Sequence, residues 1–164
     1  KIKKDKFKDR RGYFQEKYIK KKLNLKIKFT AIAYSKKNVI RGLHFQSKKT
    51  QDKFISVIKG RILDVVVDLR KNSKTFGQHV SIILSSNQNL SFYIPEGFAH
   101  GFCALENNTI VHYKCTNYRD SKSELGIIWN DPKLNIKWPI KKPIISKKDK
   151  KNISFKDYLK KFVK

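Results

Sequence analysis

Three residue types that can move protons or stabilise charge occur in stretches that read as β-strands. Histidine has an unperturbed pKa near neutral pH and can remove a proton, and tyrosine can return one. A lysine ammonium can stabilise negative charge that develops on an oxygen. Together these types suit proton abstraction from a carbon next to a carbonyl group. The titratable residues in apolar or glycine-rich strand contexts are His44, Lys53, Asp68, His100, Tyr113 and Glu124.

The run Arg41–Gln46 (RGLHFQ) contains the first of these histidines and is predicted to be a half-buried strand. Because side chains alternate along an extended chain, His44 is predicted to share a face with Gly42, and Arg41 to point the other way. Gly42 would let another group approach the backbone closely. Taken alone, the run favours a structural histidine in the core beside a solvated arginine.

The histidines and cysteines do not form a recognisable metal or nucleophile pattern. His44, His79, His100 and His112 include no His-x-His pair, and no glycine-rich loop suits a dinucleotide or a nucleoside triphosphate. We therefore predict that the protein binds no metal. Cys103 and Cys115 are too few for a disulfide framework, which fits a reduced, cytoplasmic compartment.

These residues must be positioned by β-structure. Many short strands, separated by turn residues and with no helices between them, are typical of a β-sandwich or β-barrel, so we predict one all-β domain over residues 1–164. Helices are predicted only outside the strands, at Gln15–Lys28 and at Ile153–Val163 in a basic tail over 141–164. The predicted strands are Ala31–Tyr34, Ile40–Gln46, Lys53–Lys59, Arg61–Leu69, His79–Ser85, Asn89–Ile94, Gly101–Leu105 and Thr109–Thr116.

One predicted strand carries two carboxylates among apolar residues. Leu63, Val65 and Val67 alternate with Asp64 and Asp68 along Ile62–Leu69. The strand is expected to have an apolar face and a face that carries the two carboxylates. The pattern alone does not decide whether each carboxylate is solvated or paired.

The formal net charge of the 164 residues is +26, and 33 of the basic residues are lysines. Such an excess invites a nucleic-acid-binding interpretation. The lysines are spread along the whole chain, however, and no zinc-finger, helix-turn-helix or RNA-recognition pattern accompanies them. We predict a solvated basic surface that can attract an anionic small molecule, with no specific nucleic-acid site. No apolar run is long enough to span a membrane.

Several motifs in a fixed order resemble the dTDP-4-dehydrorhamnose 3,5-epimerase family, whose members are cupin-type β-barrels (jelly rolls) without a metal. The resemblance extends from Asp9–Gly12 to Ser146–Asp149 and implies a cupin-type jelly roll with short peripheral helices. The motifs are Arg41–Gln46, Asp64–Gly77 (DVVVDLRKNSKTFG), Ile94–Phe102 (IPEGFAHGF), Tyr113–Tyr118 (YKCTNY) and Trp129–Asp131 (WND).

The resemblance also implies roles for individual residues. It makes His44 the proton acceptor, Asp149 its partner in a His–Asp dyad, and Tyr113 the proton donor. Lys53 and His100 would lie near the sugar ring. The residues that would bind the nucleotide and its diphosphate are Arg11, Glu16, Arg41, Glu124 and Lys148.

The activity that the resemblance implies is inversion of C3, C5 or both in a nucleotide-diphospho-4-keto-6-deoxy-hexose, through an enolate, in deoxysugar biosynthesis for surface polysaccharide. No cofactor is implied, since the 4-keto group already acidifies both neighbouring carbons. A homodimer is implied as well, with most of the family's first, interface-forming strand lying before these residues. The chain departs from the family at two places. It has Phe29-Thr30-Ala31 where the family usually has a polar run, and it has Arg119 where the family has a tyrosine that stacks on thymine.

Two alternatives stay open from the sequence. One is a single-centre epimerase or ketoisomerase that acts on a different nucleotide sugar. The other is a non-catalytic protein that binds sugar nucleotides. The presence of His44, Tyr113 and Asp149 together argues against loss of catalysis.

Overall fold

The computed structural model of the chain describes residues 1–3 and 5–163; Lys4 and Lys164, which belong to the predicted single domain, lie outside the described residues. The helices are α1 (Lys20–Leu23) and α2 (Phe155–Phe162), with one 3-10 turn at Asp149–Lys151. The strands are β1 (Ile2–Lys3), β2 (Phe7–Asp9), β3 (Gly12–Phe14), β4 (Phe29–Ser35), β5 (Ile40–Gln46), β6 (Lys53–Lys59), β7 (Arg61–Asp68), β8 (His79–Ser85), β9 (Leu90–Ile94), β10 (Phe98–Ala104), β11 (Thr109–Cys115) and β12 (Glu124–Gly126).

Two five-stranded antiparallel sheets form the body of the fold. The first sheet has the order β1-β9-β6-β11-β4, and the second has the order β12-β5-β10-β7-β8. From β9 to β12 successive strands alternate between the two sheets, so residues distant in the chain come to face each other. The prediction of an all-β, cupin-type jelly roll with short peripheral helices is confirmed.

All eight predicted strands are present, with differences at their ends. The largest is that β10 begins at Phe98 rather than at Gly101, and β4 is longer than predicted at both ends. The short strands β1, β2, β3 and β12 were not predicted, because two or three residues are too few for an alternating pattern to be recognised.

Strand β7 is buried on both faces, which explains its nearly continuous apolar sequence. Val65 and Val67 pack with residues of the C-terminal segment, including Phe155 and Tyr158. Val66 packs in the second apolar cluster, which lies between the two sheets. The predicted alternation is therefore confirmed, and burial forces the carboxylates of this strand to find partners.

The C-terminal segment covers the outer face of the second sheet, and side-chain caps hold its helix in place. Ser154 Oγ accepts a hydrogen bond from Asp157 N at 3.0 Å, and Asp131 Oδ2 accepts one from Phe155 N at 2.7 Å. Tyr158 donates from its hydroxyl to Leu69 O at 3.2 Å. The predicted helix at Ile153–Val163 is confirmed as α2, which begins two residues later and ends one residue earlier.

The helix predicted at Gln15–Lys28 is wrong, because only the single turn α1 forms there. Asn24 adopts a left-handed conformation with φ 44° and ends that turn. Tyr18 is used for packing against Phe54, with 5.8 Å between ring centroids, rather than for one face of a helix. Lysines four residues apart, such as Lys17 and Lys21, would also repel each other on one face of a longer helix. Arg10 and Arg11 form the turn that joins β2 to β3.

Among the described residues no helix is long and apolar enough to cross a membrane. Cys103 and Cys115 are both buried and unpaired, as expected from their number.

Candidate active site

The space between the two sheets contains a cavity of about 280 Å³. Its walls come from β4, β6 and β11 of the first sheet and from β5 and β10 of the second. Six of the predicted site residues line it: Arg41, His44, Lys53, His100, Tyr113 and Glu124. Residues separated by up to 83 positions along the chain are thus collected around one space of a size suited to a sugar ring.

His44 and Asp149 form a hydrogen-bonded pair at the edge of this cavity. His44 Nε2 lies 2.7 Å from Asp149 Oδ1, and Asp149 Oδ2 accepts a hydrogen bond from Gly42 N at 3.3 Å. Asp149 is only 4% exposed, and its own N–H donates to Ser146 Oγ at 3.0 Å. With Nε2–H directed at the carboxylate, the lone pair of Nδ1 is available to accept a proton.

The carboxylate of this pair stays ionised. Burial raises the pKa of Asp149, but the hydrogen bond and charge of His44 and the hydrogen bonds from Gly42 and Ser146 outweigh burial. The net result is a pKa below the ordinary carboxyl value. An ionised Asp149 fixes the orientation of the His44 imidazole through this hydrogen bond.

An irregularity in β5 brings Arg41 into the cavity, contrary to the prediction that it points away from His44. His100 pairs with His44 in register, whereas Phe102 pairs with Arg41, so β5 has one extra residue between these two positions. Such a bulge shifts the alternation and places Arg41 and His44 on the same side. Arg41 donates from Nη2 to Tyr34 O at 2.8 Å.

Gly42 is required by this bulge rather than by a ligand. It has φ 132°, and a Cβ atom there would lie 2.5 Å from Gly101 Cα on the neighbouring strand. The close approach predicted at Gly42 is therefore present, and the group that approaches is the backbone of β10.

His100 belongs to a second histidine–aspartate pair, which the sequence analysis did not identify. Its Nε2 lies 3.0 Å from both carboxylate oxygens of Asp64 on β7, and both side chains are buried. The open question about Asp64 is settled, since this carboxylate is paired. A buried aspartate on a strand with two apolar faces must have such a partner, and that was the available signal.

Lys53 and Tyr113 approach the cavity from the first sheet, opposite the two histidines. Cys115 pairs in register with Lys53 on the adjacent strand, which puts Tyr113, two residues before Cys115, on the same face as Lys53. Lys53 Nζ donates to His44 O at 3.4 Å. The Tyr113 and His100 rings lie 6.0 Å apart, edge to face.

Burial perturbs both of these titratable groups. It lowers the pKa of the Lys53 ammonium, while the charges of Cys115, Glu124 and Asp64 raise it less strongly. Burial also raises the pKa of the Tyr113 hydroxyl far above its ordinary value, and the charge of Asp64 adds to this. Tyr113 is therefore protonated at neutral pH, and its hydroxyl donates to none of the described residues.

A charged cluster lies at the mouth of the cavity. Glu124 accepts a hydrogen bond from Arg119 Nε at 2.7 Å and forms an ion pair with Lys148 Nζ at 3.0 Å. Burial raises the pKa of Glu124, but these two cations outweigh burial and lower it overall. The cluster fixes two exposed cations next to Arg41, which is a suitable arrangement for a diphosphate.

Two of the predicted site residues lie elsewhere. Glu16 follows the β2–β3 hairpin and is exposed, and Arg11 is in the hairpin turn, where its side chain is 91% exposed. Arg11 Nη2 pairs with Asp9 Oδ2 at 2.6 Å rather than with any cavity residue. Within one chain, these two residues do not contribute to the cavity.

The described residues contain no cluster of three or more histidine, cysteine, aspartate or glutamate side chains that would hold a metal ion. The prediction that the protein binds no metal stays a prediction.

The chain is similar to known proteins over almost its whole length. The family model described as dTDP-4-dehydrorhamnose 3,5-epimerase matches residues 1–157. The dTDP-4-dehydrorhamnose 3,5-epimerase of Methanothermobacter thermautotrophicus is 45% identical over 150 residues, which are 87% of this chain and 81% of the relative.

Solved structures give the same result. The dTDP-4-dehydrorhamnose 3,5-epimerase of Bacillus anthracis with TDP and PPi bound is 43% identical, with a TM-score of 0.90 over 93% of this chain and 91% of that chain. The dTDP-6-deoxy-D-glucose-3,5-epimerase of Legionella pneumophila in complex with dTDP-4-keto-L-rhamnose is 38% identical, with a TM-score of 0.90 over 94% and 86%. Residues 1–157, which the family model matches, include every residue that lines the cavity.

Proposed function

This chain belongs to the dTDP-4-dehydrorhamnose 3,5-epimerase family, and from that premise we propose how its cavity carries out the reaction. It is an isomerase of a nucleotide-activated 4-keto sugar in deoxysugar biosynthesis. The observation that carries the mechanism is that the His44–Asp149 pair and the Tyr113 hydroxyl belong to facing sheets across one cavity. Inversion of a carbon requires that a proton leaves one face and that another arrives at the opposite face.

The first step is abstraction of a proton by His44. The 4-keto group of the sugar acidifies the protons on C3 and C5, because the carbanion is delocalised onto the keto oxygen as an enolate. Nδ1 of His44 takes the proton, and the ionised carboxylate of Asp149 stabilises the resulting imidazolium. No electron acceptor or cofactor is needed, since only a proton moves.

The enolate oxygen is stabilised by the buried cation Lys53 and by His100, which Asp64 holds in place. Burial disfavours the charged form of Lys53. An enolate beside it restores a favourable partner, so the attraction becomes stronger as negative charge develops. An interaction that strengthens as the enolate forms lowers the activation barrier, whereas one of constant strength would only bind the substrate.

Tyr113 completes the inversion by donating its proton to the opposite face of the carbon. Burial keeps its hydroxyl protonated, which a donor requires. Before the next carbon or the next substrate reacts, His44 releases its proton to solvent and Tyr113 takes a proton from solvent.

The nucleotide diphosphate is proposed to bind at the mouth of the cavity. Arg41 and Lys148 supply positive charge for the phosphate oxygens, and Glu124 fixes the cations around it. Arg119, which is 65% exposed and held by Glu124, presents a planar guanidinium on which a base can stack. The residue proposed to contact the base, Arg119, is thus one at which this chain differs from its family.

We infer further that the enzyme is a homodimer in which the β2–β3 hairpin of one subunit reaches the cavity of the other. The hairpin presents large apolar side chains to solvent, among them Phe7 and Phe14, which is 66% exposed. Arg11 and Glu16 stay outside the cavity of their own chain. A two-fold arrangement would bury the apolar residues and bring both charged residues to a substrate.

The reaction is tested by incubating dTDP-4-keto-6-deoxyglucose with the enzyme in heavy water and following C3 and C5 by NMR. Deuterium at both carbons together with inverted product is expected. Deuterium at only one carbon would favour the single-centre epimerase, and tight binding without exchange would favour a non-catalytic binding protein.

The shared site is tested by mixing two inactive variants, His44→Ala and Arg11→Ala. If each cavity uses Arg11 from the partner subunit, random exchange of subunits restores about a quarter of the sites of a two-fold dimer. No recovery after exchange, or a monomer by light scattering, would contradict the proposal. A reducing, cytoplasmic location remains a prediction that rests on the two unpaired thiols.

A further inference from the structure

Gln51 lies just before β6 and lines the same cavity as His44 and Lys53. Its carbonyl oxygen Oε1 is closed to solvent and accepts no hydrogen bond from any residue that the structure describes. A buried carbonyl oxygen without a donor is unfavourable, so native proteins rarely leave one without a purpose. Because Gln51 lines the substrate cavity, its unpartnered oxygen indicates a place where a donor of the ligand belongs.

Most of the other polar side chains around the cavity have protein partners, and the exception that matters for the reaction is the Tyr113 hydroxyl, the proposed proton donor. Gln46 provides the closest comparison, because it lines the same space and is an amide too. Its Nε2 donates to Lys49 O at 2.7 Å, and its Oε1 accepts from Asp120 N at 2.9 Å, so both ends hold the neighbouring loop. Gln46 is therefore structural, whereas the oxygen of Gln51 remains available to a ligand.

We propose that Gln51 accepts a hydrogen bond from the C2 hydroxyl of the hexose ring and positions the ring for proton transfer. This inference rests on the proposed function. In a 4-keto-6-deoxy-hexose, C1 carries the diphosphate, C4 carries the keto oxygen and C6 is a methyl group. The C3 hydroxyl moves to the other side of the ring when C3 is inverted. The C2 hydroxyl is the one ring donor that keeps its place throughout, so a fixed acceptor can hold it before and after each inversion.

The experiment compares the 4-keto substrate with its 2-deoxy analogue, using wild type, Gln51→Ala and Gln51→Glu. A neutral hydrogen bond corresponds to a preference of about three- to tenfold in kcat/KM for the substrate that carries the hydroxyl. Wild type is expected to show this preference. Gln51→Ala is expected to lose it, and Gln51→Glu to keep it, because a carboxylate also accepts a hydrogen bond.

Gln15→Ala is the matched control, since Gln15 also has a buried, unpartnered Oε1 but lies outside the cavity. This variant should keep the wild-type preference. A purely structural role for Gln51 would lower kcat/KM for both substrates equally, and that result would overturn the inference. So would a wild-type enzyme that does not distinguish the two substrates, a result that needs no variant. A wild type that converts neither substrate would instead contradict the proposed function.

Discussion

At the scale of single residues, the site depends on which groups are paired and which are left free. His44 and His100 each have an aspartate partner, which fixes the imidazole orientations before a substrate arrives. The amide oxygen of Gln51 accepts no hydrogen bond from any described residue. The hydroxyl of Tyr113 likewise donates to none of them. The paired groups thus hold fixed positions, and the free groups are the ones that a substrate can complete.

The division of labour between His44 and Tyr113 gives a prediction at this scale. Tyr113→Phe removes the donor but leaves the His44–Asp149 pair and Lys53, so solvent deuterium should still enter the substrate through His44. Inverted product should fall much more than exchange does. His44→Ala should reduce both by at least about a hundredfold, the usual contribution of a general base.

The measurement is parallel: deuterium incorporation by mass spectrometry and product configuration by NMR on the same samples. Equal loss of exchange and inversion in Tyr113→Phe would mean that the hydroxyl stabilises the enolate or places the substrate. Undiminished inversion would remove Tyr113 from the mechanism.

At the scale of elements, a bulge positions one side of the site, and a buried carboxylate holds a loop. The bulge in β5 brings Arg41 to the cavity, and it is possible only because Gly42 and Gly101 let the backbones of β5 and β10 approach closely. The loop that follows β7 is held by Asp68, whose carboxylate is 2% exposed and accepts hydrogen bonds from Arg70, Ser73 and Thr75. Because the buried carboxylate accepts several hydrogen bonds, the stability of the surrounding fold depends on its ionisation.

Asp68 makes the stability of the fold depend on pH. The Arg70 guanidinium holds the pKa of this carboxyl far below its ordinary value; burial raises the pKa less, and Ser73 and Thr75 lower it further. The unfolded chain therefore binds a proton at higher pH than the native one. The contribution of Asp68 to stability is present above the ordinary carboxyl pKa and is lost as pH falls toward the native value.

Asp68→Asn should accordingly lower the free energy of unfolding by about 1–3 kcal/mol at pH 7, because three donors lose a charged acceptor. The difference from wild type should shrink as the pH approaches 3. Urea unfolding at both pH values measures it. Asp9→Asn is the control, since Asp9 pairs with Arg11 at the same spacing but on the surface. A difference for Asp68→Asn that does not change with pH would assign the effect to packing instead of charge.

At the scale of the whole molecule, the formal net charge of +26 comes from basic residues spread along the whole chain. Such a charge attracts any polyanion without selecting a sequence. The arginines at the cavity mouth, by contrast, are fixed by Glu124 and by the backbone of β4. Specific binding is therefore expected for the nucleotide sugar and not for nucleic acid.

Salt distinguishes the two kinds of binding. Association with DNA or RNA oligonucleotides should fall steeply between about 50 and 200 mM salt, because it depends on counterion release. Fluorescence anisotropy with two unrelated sequences is the measurement, and the two should give the same affinity. Tight binding of one sequence at physiological salt would contradict this prediction.

The sequence by itself determined the class of fold and most of the residues that line the cavity. Alternation and turn residues are local properties, so eight strands and α2 were predictable, and His44, Lys53, His100 and Tyr113 could be singled out as titratable residues in strand contexts. The expected helix at Gln15–Lys28 failed because its apolar residues have no clear helical period, and Tyr18 packs on β6 instead. Asp149 was found only through the resemblance to a family, since nothing local sets it apart in a lysine-rich tail.

Tertiary structure alone decided which residues meet. The bulge that moves Arg41, the pairing of Asp64 with His100 and the unpartnered oxygen of Gln51 all depend on strand register or on contacts between distant segments. One inserted residue reverses the facing of every side chain beyond it, and a pattern of period two cannot reveal where the insertion lies. The local sequence thus determines which titratable side chains are present, whereas the packing of the two sheets sets their distances and hydrogen-bond partners.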